Sequence, residues 1–175
     1  MRIVAGAWRG RQIKAPPGDL VRPTGDRVRE AWMSIVNASL AGAKVLDLFS
    51  GSGALGLEAL SRGAREAHFV ENAARSLDVI DKNITALGAG RRAVVHRADA
   101  IKFLEKIGDE RYDVAFADPP YDKGFATAVA ERWLARPFAN VIGIEHRRDE
   151  TLPGEPDTRR YGGTSLSFYY VSADD

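Results

Sequence analysis

A chain of 175 residues, 45% hydrophobic and 28% charged, suits one soluble domain with a full core and leaves little room for a second. The absence of cysteine excludes disulfides and thiolate metal sites, and His68, His96 and His146 are scattered without metal-ligand spacing, so no metal enzyme is expected. Net charge is only +1, yet residues 1–30 hold seven Lys/Arg against three Asp/Glu, while the remainder holds eighteen against twenty-one, which concentrates basic character at one end.

Arg2-Ile3-Val4-Ala5-Gly6 and Arg11-Gln12-Ile13-Lys14-Ala15 read as two short strands around Trp8-Arg9-Gly10. Aromatic and basic side chains together suit a polyanion that carries bases: Arg2, Arg9, Arg11, Lys14 and Arg22 can pair phosphates and Trp8 can stack. A solvated edge hairpin with Trp8 tucked onto the core explains the same residues equally well. After Pro16-Pro17-Gly18, a helix is expected from about Asp26 to Ala38, capped by Thr24 or Asp26, with Val28, Ala31, Trp32, Ile35 and Val36 as its apolar stripe. Arg22, Thr24 and Arg27 can line or cover a site there, or the segment is a plain linker.

Lys44 to Phe49 reads as a buried strand, followed by Ser50-Gly51-Ser52-Gly53-Ala54-Leu55-Gly56 turning into a helix that runs to about Arg62. This is a nucleotide-binding βα turn. Its glycines match a dinucleotide fingerprint, and Glu71, ending the strand Ala67 to Val70, can take ribose hydroxyls, so NAD has to be considered. Asp47 weighs against it, because a carboxylate just before the turn repels a pyrophosphate and welcomes the ammonium of a methionyl group. S-adenosylmethionine carries that ammonium and no phosphate, and the NH groups of Gly51 to Gly53 would then face its carboxylate.

A helix from about Ala73 to Leu87, a strand Ala93 to Arg97 and a helix after Asp99-Ala100 continue the alternation. Asp99 can accept from an adenine amino group beside the Ala100 NH. Singly, Glu71 and Asp99 are more often helix caps; one polar residue at each strand end favours the ligand reading. Val114-Ala115-Phe116-Ala117 then delivers Asp118-Pro119-Pro120-Tyr121 at another strand end. Successive prolines stiffen this loop. A carboxylate, a main-chain carbonyl and an aromatic face suit a planar base with an exocyclic amine, whose two protons need two acceptors for its lone pair to be aimed at an electrophile. A proline turn with Tyr121 as ordinary packing is the plain alternative. Phe125 to Leu134 is read as helix, Asn140 to Glu145 as strand, and Thr158 to Tyr161 with Leu166 to Val171 as a closing hairpin around Gly162-Gly163. Glu145-His146 suits a surface position as well as acid-base catalysis. No apolar run approaches a membrane span, and no signal-peptide apolar region opens the chain, so a cytoplasmic protein is expected.

Asp47-Leu48-Phe49-Ser50-Gly51-Ser52-Gly53-Ala54-Leu55-Gly56-Leu57-Glu58-Ala59-Leu60 with Asp118-Pro119-Pro120-Tyr121 resembles the RsmD family of bacterial 16S ribosomal RNA guanine-N2 methyltransferases. Arg2-Ile3-Val4-Ala5-Gly6 and Arg22-Pro23-Thr24-Gly25-Asp26-Arg27-Val28-Arg29-Glu30-Ala31 resemble that family too, so the likeness spans nearly the whole chain. The resemblance implies an α/β, Rossmann-like class I methyltransferase fold: a seven-stranded, mostly parallel sheet with an antiparallel last strand and an N-terminal β-hairpin arm. It implies S-adenosylmethionine as donor and 16S ribosomal RNA, free or in a small-subunit particle, as acceptor. By position, Asp47, Gly51 and Gly53 would bind the methionyl part, Glu71 the ribose, Asp99 and Ala100 the adenine, and Asp118, Pro119 and Tyr121 the target base. Residues 1–40 would be the basic hairpin and linker helix, and 41–175 the methyltransferase unit of a monomer. An adenine-N6 methylase of DNA or RNA is the nearest rival, and the short chain argues against the DNA version, which usually adds a target-recognition domain. A non-catalytic nucleotide- or RNA-binding module is the rival from another class.

Overall fold

In the computed structural model, which describes residues 1–16 and 25–173, the alternating apolar runs assemble into one sheet. Its strands are β1 (Lys44–Leu48), β2 (Glu66–Glu71), β3 (Ala93–Arg97), β4 (Tyr112–Ala117), β5 (Ala139–Arg147), β6 (Asp157–Tyr161) and β7 (Thr164–Tyr170). They lie in the order β3-β2-β1-β4-β5-β7-β6. Neighbours from β3 to β5 pair in parallel, and β7 runs antiparallel between β5 and β6, which is the Rossmann-like sheet expected, with a reversed last strand. The helices are α1 (Gly25–Val36), α2 (Ala54–Ser61), α3 (Ala74–Leu87), α4 (Ala100–Glu105) and α5 (Phe125–Ala135).

The strand period of two sorts the central residues between two cores. Val45, Val114 and Phe116 point to the layer of α1, α2 and α3, where they meet Trp32, Leu57 and Ile80. Leu46, Leu48, Ala115 and Ala117 point to the layer of α4 and α5, with Leu104, Val129 and Trp133. Asp47, between Leu46 and Leu48, therefore faces the first layer. Among the described residues, no helix is long and apolar enough to cross a membrane.

The two N-terminal strands expected from sequence shrink to one isolated antiparallel bridge, Arg2 to Gln12, with the Ile3 NH donating to the Arg11 carbonyl and the Ile13 NH to the Met1 carbonyl. The physical reason lies in α2. Val4 NH and Ala5 NH donate to the Glu58 carboxylate, and Trp8 NH donates to Ser61 Oγ, so beyond Ile3 the chain is held by side chains of a helix instead of by a longer ladder. Gly6, at φ 86°, lies so close to α2 that a Cβ would fall 1.9 Å from the Ser61 carbonyl oxygen. Ile3 and Ile13 are buried in the same core as Trp32, so the arm packs against the sheet's helical layer. The expected Thr24 cap, Arg22 and the Pro17-Gly18 break fall outside the described residues. α1 stops at Val36 and tightens into a 3-10 turn over Asn37–Ser39, short of the expected helical end at Ala38.

Candidate active site

The strand order reverses between β1 and β4, and in open α/β sheets that reversal leaves a crevice at the carboxyl ends of the strands. A cavity of about 690 Å³ opens there. Of the residues singled out from sequence, Asp47, Gly51, Glu71, Asp99, Ala100 and Asp118 all line it. Gly53, Pro119 and Tyr121 are not among the lining residues.

Asp47 is only 1% exposed, and its Oδ2 accepts the Gly56 NH at 3.0 Å. Burial pushes this carboxyl well above the usual carboxylate range; the Gly56 NH opposes the shift and the nearby negative charge of Glu71 adds to it. A buried anion of this kind gains most from a cationic ligand. The turn beyond it is held by Ser50, whose Oγ donates to the Asp47 carbonyl at 2.5 Å. Phe49 departs from the expected strand and adopts φ 56°, a left-handed backbone rare for a bulky residue. Gly53, at φ 81°, precedes α2, and a Cβ on Gly56 would meet Phe69 Cε1 at 2.4 Å, so the later glycines bring the helix onto β2.

Of the NH groups of Gly51 to Gly53, expected to face a ligand carboxylate, those of Gly51 and Gly53 are already engaged within the protein. Gly51 NH donates to Glu71 Oε1 at 3.1 Å, and Gly53 NH donates to the Ser50 carbonyl at 2.8 Å. The turn is tight enough that its own carbonyl and the carboxylate of the next strand end capture these donors.

Glu71 closes β2, and its Oε2 also accepts the NH groups of Asn72 and Ala73 at the entry to α3. Asp99 caps α4 by accepting the Lys102 NH at 3.0 Å. Asp99 thus caps a helix and Glu71 ties down the loop that leads into one, while both line the cavity, and a carboxylate has lone pairs enough for both tasks. The buried Ala100 follows as the first residue of α4.

Asp118 enters the cavity from the end of β4, beside Pro120. Pro119 is buried beneath. Tyr121 is anchored by its hydroxyl, 2.5 Å from Thr164 Oγ1 and 3.2 Å from Glu145 Oε1, while the Arg147 guanidinium lies 5.2 Å from its ring centre. Glu145 lines the cavity and His146 is buried with its Nε2 2.7 Å from Ser167 Oγ, so this pair does not occupy the surface position considered from sequence. β7 pairs alongside them.

Along the N-terminal arm, Arg2, Arg9, Arg11 and Lys14 are exposed and Trp8 is half-buried. Trp8 packs against the core, with the Arg92 guanidinium 5.1 Å from its ring centre, and Arg11 Nη2 donates to the Ala86 carbonyl at 2.6 Å. The tip of the arm therefore sits by Ser61 at the far end of α2, about 12 Å from the glycine turn at 1.5 Å per residue. Among the described residues of this segment, Met1, Ala15 and Pro16 reach the cavity.

Sequence reasoning missed Arg29, Phe49, Lys123 and Phe125 in the lining. Arg27, considered as a site residue, is exposed and outside the lining; Arg29, on the flank of the Val28 and Trp32 stripe, takes that place. Helical spacing carried the signal, since Arg29 lies three residues before the fully buried Trp32.

The family described as Conserved hypothetical protein 95 matches residues 1–170. The chain is 41% identical over 161 residues to the ribosomal RNA small subunit methyltransferase D of Escherichia coli K12, covering 89% of this chain and 79% of that protein. It superimposes on a hypothetical protein of Thermus thermophilus, TTHA0928, with a TM-score of 0.84 at 32% identity, covering 98% of this chain and 99% of that one. It shares its fold, at a TM-score of 0.66 and 21% identity, with the T. thermophilus 16S rRNA N2 G1207 methyltransferase solved with AdoMet and guanosine; 88% of this chain and 44% of that one superimpose.

Proposed function

The chain belongs to the Conserved hypothetical protein 95 family, the RsmD family of small-subunit ribosomal RNA methyltransferases, and on that premise we propose that it methylates the exocyclic N2 amine of a guanine in 16S ribosomal RNA from S-adenosylmethionine. The observation that carries this reading is that the buried Asp47 and the half-buried Glu71, Asp99 and Asp118 line one cavity at successive strand ends. Bound there, S-adenosylmethionine supplies an electrophilic methyl group on a sulfonium. Asp47 fits this donor because burial and the nearby Glu71 hold its carboxyl away from the charged form, which the methionyl ammonium would favour. Glu71 would take the ribose hydroxyls, and Asp99 with the Ala100 NH the adenine edge.

Asp118 and the Pro119 carbonyl would hold the two amino protons of the target base, and Tyr121, fixed through its hydroxyl, would set the base plane. Two acceptors favour a pyramidal nitrogen, and no general base is needed ahead of methyl transfer, since the methylated ammonium loses its proton readily to Asp118 or water. A paired guanine would have to be flipped out to reach this depth. We assign residues 1–40 as the RNA-facing arm and linker helix, with Arg2, Trp8, Arg9, Arg11, Lys14 and Arg22 as its contacts, and 41–175 as the methyl-transfer unit of a cytoplasmic monomer.

Methyl transfer from labelled S-adenosylmethionine to ribosomal subunits from cells lacking this protein, followed by nucleoside analysis, tests the reading. N2-methylguanosine in 16S RNA is the expected product. N6-methyladenosine would replace the reading with its adenine rival, and absence of any transfer would favour a binding module.

A further inference from the structure

Arg29 is a buried cation with few partners. It is 7% exposed, its Nη2 donates to the Arg2 carbonyl at 2.7 Å, and its Nη1 lies 3.7 Å from Met1 Sδ. Among the described residues its only ion pair is with Asp26 at 3.4 Å, whose own side chain is 68% exposed and thus a weak counterion. Its Nε is buried with no hydrogen-bond partner among the described residues. An arginine held this way, in the wall of a cavity, is disfavoured unless a ligand completes its fork.

Its position says which part of a ligand would do so. Trp32, one turn further along α1, packs edge-on to Phe116 at 5.6 Å and against Gly143. Phe116 is the register partner of Asp47 on one side and of Gly143 on the other. Asp47 and Arg29 therefore belong to the same layer of the molecule, and both line the cavity. A buried anion and a buried cation bordering one cavity match a zwitterionic amino acid, whose ammonium and carboxylate would relieve each in turn. Of the turn's NH groups, those of Gly51 and Gly53 are engaged elsewhere, which leaves that carboxylate short of two of the donors expected from the turn.

We propose that Arg29 binds the carboxylate of the methionyl moiety of S-adenosylmethionine through its guanidinium fork, opposite the ammonium held by Asp47. This rests on the cofactor reading above. The planar fork matches a carboxylate in two parallel hydrogen bonds, a geometry that a lysine ammonium lacks.

Calorimetry on the full chain tests the assignment with two probes, S-adenosylhomocysteine and 5′-methylthioadenosine, which share adenine, ribose and thioether but differ in the amino-acid group. Arg29→Met should weaken S-adenosylhomocysteine binding roughly 10- to 100-fold, the usual loss for a hydrogen-bonded charge, and leave methylthioadenosine within about twofold. Arg29→Lys should fall between. Equal losses for both probes would mean a structural role, and an unchanged affinity for S-adenosylhomocysteine, with or without weakened RNA binding, would also overturn the proposal. If Arg29→Met does not fold, wild-type protein gives the answer: decarboxylated S-adenosylmethionine should bind roughly 10- to 100-fold more weakly than the intact donor, and equal affinity would overturn the role of Arg29. Wild type that binds neither S-adenosylhomocysteine nor S-adenosylmethionine would instead overturn the cofactor reading itself.

Discussion

Replacing Glu58 by alanine should loosen the N-terminal arm and destabilise the whole chain, because this one side chain anchors the arm to α2. Glu58 is fully buried, and its carboxylate oxygens lie 3.0 to 3.1 Å from Val4 N and Ala5 N, with Arg62 Nε at 3.2 Å. The alanine variant leaves two half-buried backbone donors without acceptors, each costing about 1–3 kcal/mol. Arg62 loses its anion but is partly exposed, with Asn37 Oδ1 in reach, so water covers much of that loss. The expected total is about 2–6 kcal/mol, which in a chain of this length lowers the melting temperature by roughly 4–24 °C. Glu58→Gln keeps one oxygen in place and should cost about half as much or less. Denaturant unfolding measures the stability, and amide hydrogen exchange at Val4 and Ala5 reports the arm directly. A Glu58→Ala protein within about 1 kcal/mol of wild type, with both amides still protected, would refute the reasoning and make the arm self-supporting.

Asp118→Ala should lower methyl transfer by roughly 10² or more while leaving cofactor affinity nearly unchanged, with Asp118→Asn between; equal inactivity of both variants with normal cofactor binding would refute the positioning role. Asp47→Asn retains an oxygen for the Gly56 NH and removes a buried charge, so the ligand-free protein should melt higher and bind S-adenosylhomocysteine roughly tenfold or more weakly; a lower melt with unchanged affinity would contradict this. Burial holds the folded-state pKa values of His96 and His146 below the ordinary 6.5, so the unfolded chain takes up protons first on acidification. Their stabilisation is present above pH 6.5 and is lost as pH falls from there towards the folded values. His146→Gln should flatten that slope in pH-dependent unfolding, read in an Asp47→Asn background because the raised Asp47 carboxyl has the opposite dependence.

The strand ends were legible because each announces itself locally. An apolar run stops, and a single polar residue follows, as with Phe69-Val70-Glu71 and Ala115-Phe116-Ala117-Asp118. The parallel sheet then brings these ends together, whatever the distances in sequence. What sequence missed depends on partners far along the chain. The arm has strand-like residues, yet Glu58, more than fifty residues away, takes the NH groups of Val4 and Ala5. Glu145-His146 has a polar pattern suited to a surface, yet β7 pairs alongside it, and Thr164 and Ser167 of that strand bond its side chains. The glycine turn has the right spacing for donors facing a ligand, yet Glu71 and the Ser50 carbonyl take the NH groups of Gly51 and Gly53. Arg29 carried a helical signal but no chemical one, since an arginine beside an apolar stripe is ordinarily a snorkelling side chain.

Two buried charges with poor compensation would be removed by any substitution chosen for stability alone, since replacing buried ions by apolar groups is often neutral or stabilising. Asp47 and Arg29 are such a pair, one on the sheet and one on α1. Each is fixed by backbone: Asp47 by the Gly56 NH, and Arg29 by the Arg2 carbonyl. Gly56 belongs to α2, whose Glu58 holds Val4 and Ala5 just beyond Arg2. A single helix thus sets the position of the anion directly and of the cation through the arm. A zwitterion entering this cavity would find its two counter-charges already fixed, so little ordering remains to oppose binding, and the stability forgone by keeping both ions buried returns as affinity when the ligand arrives.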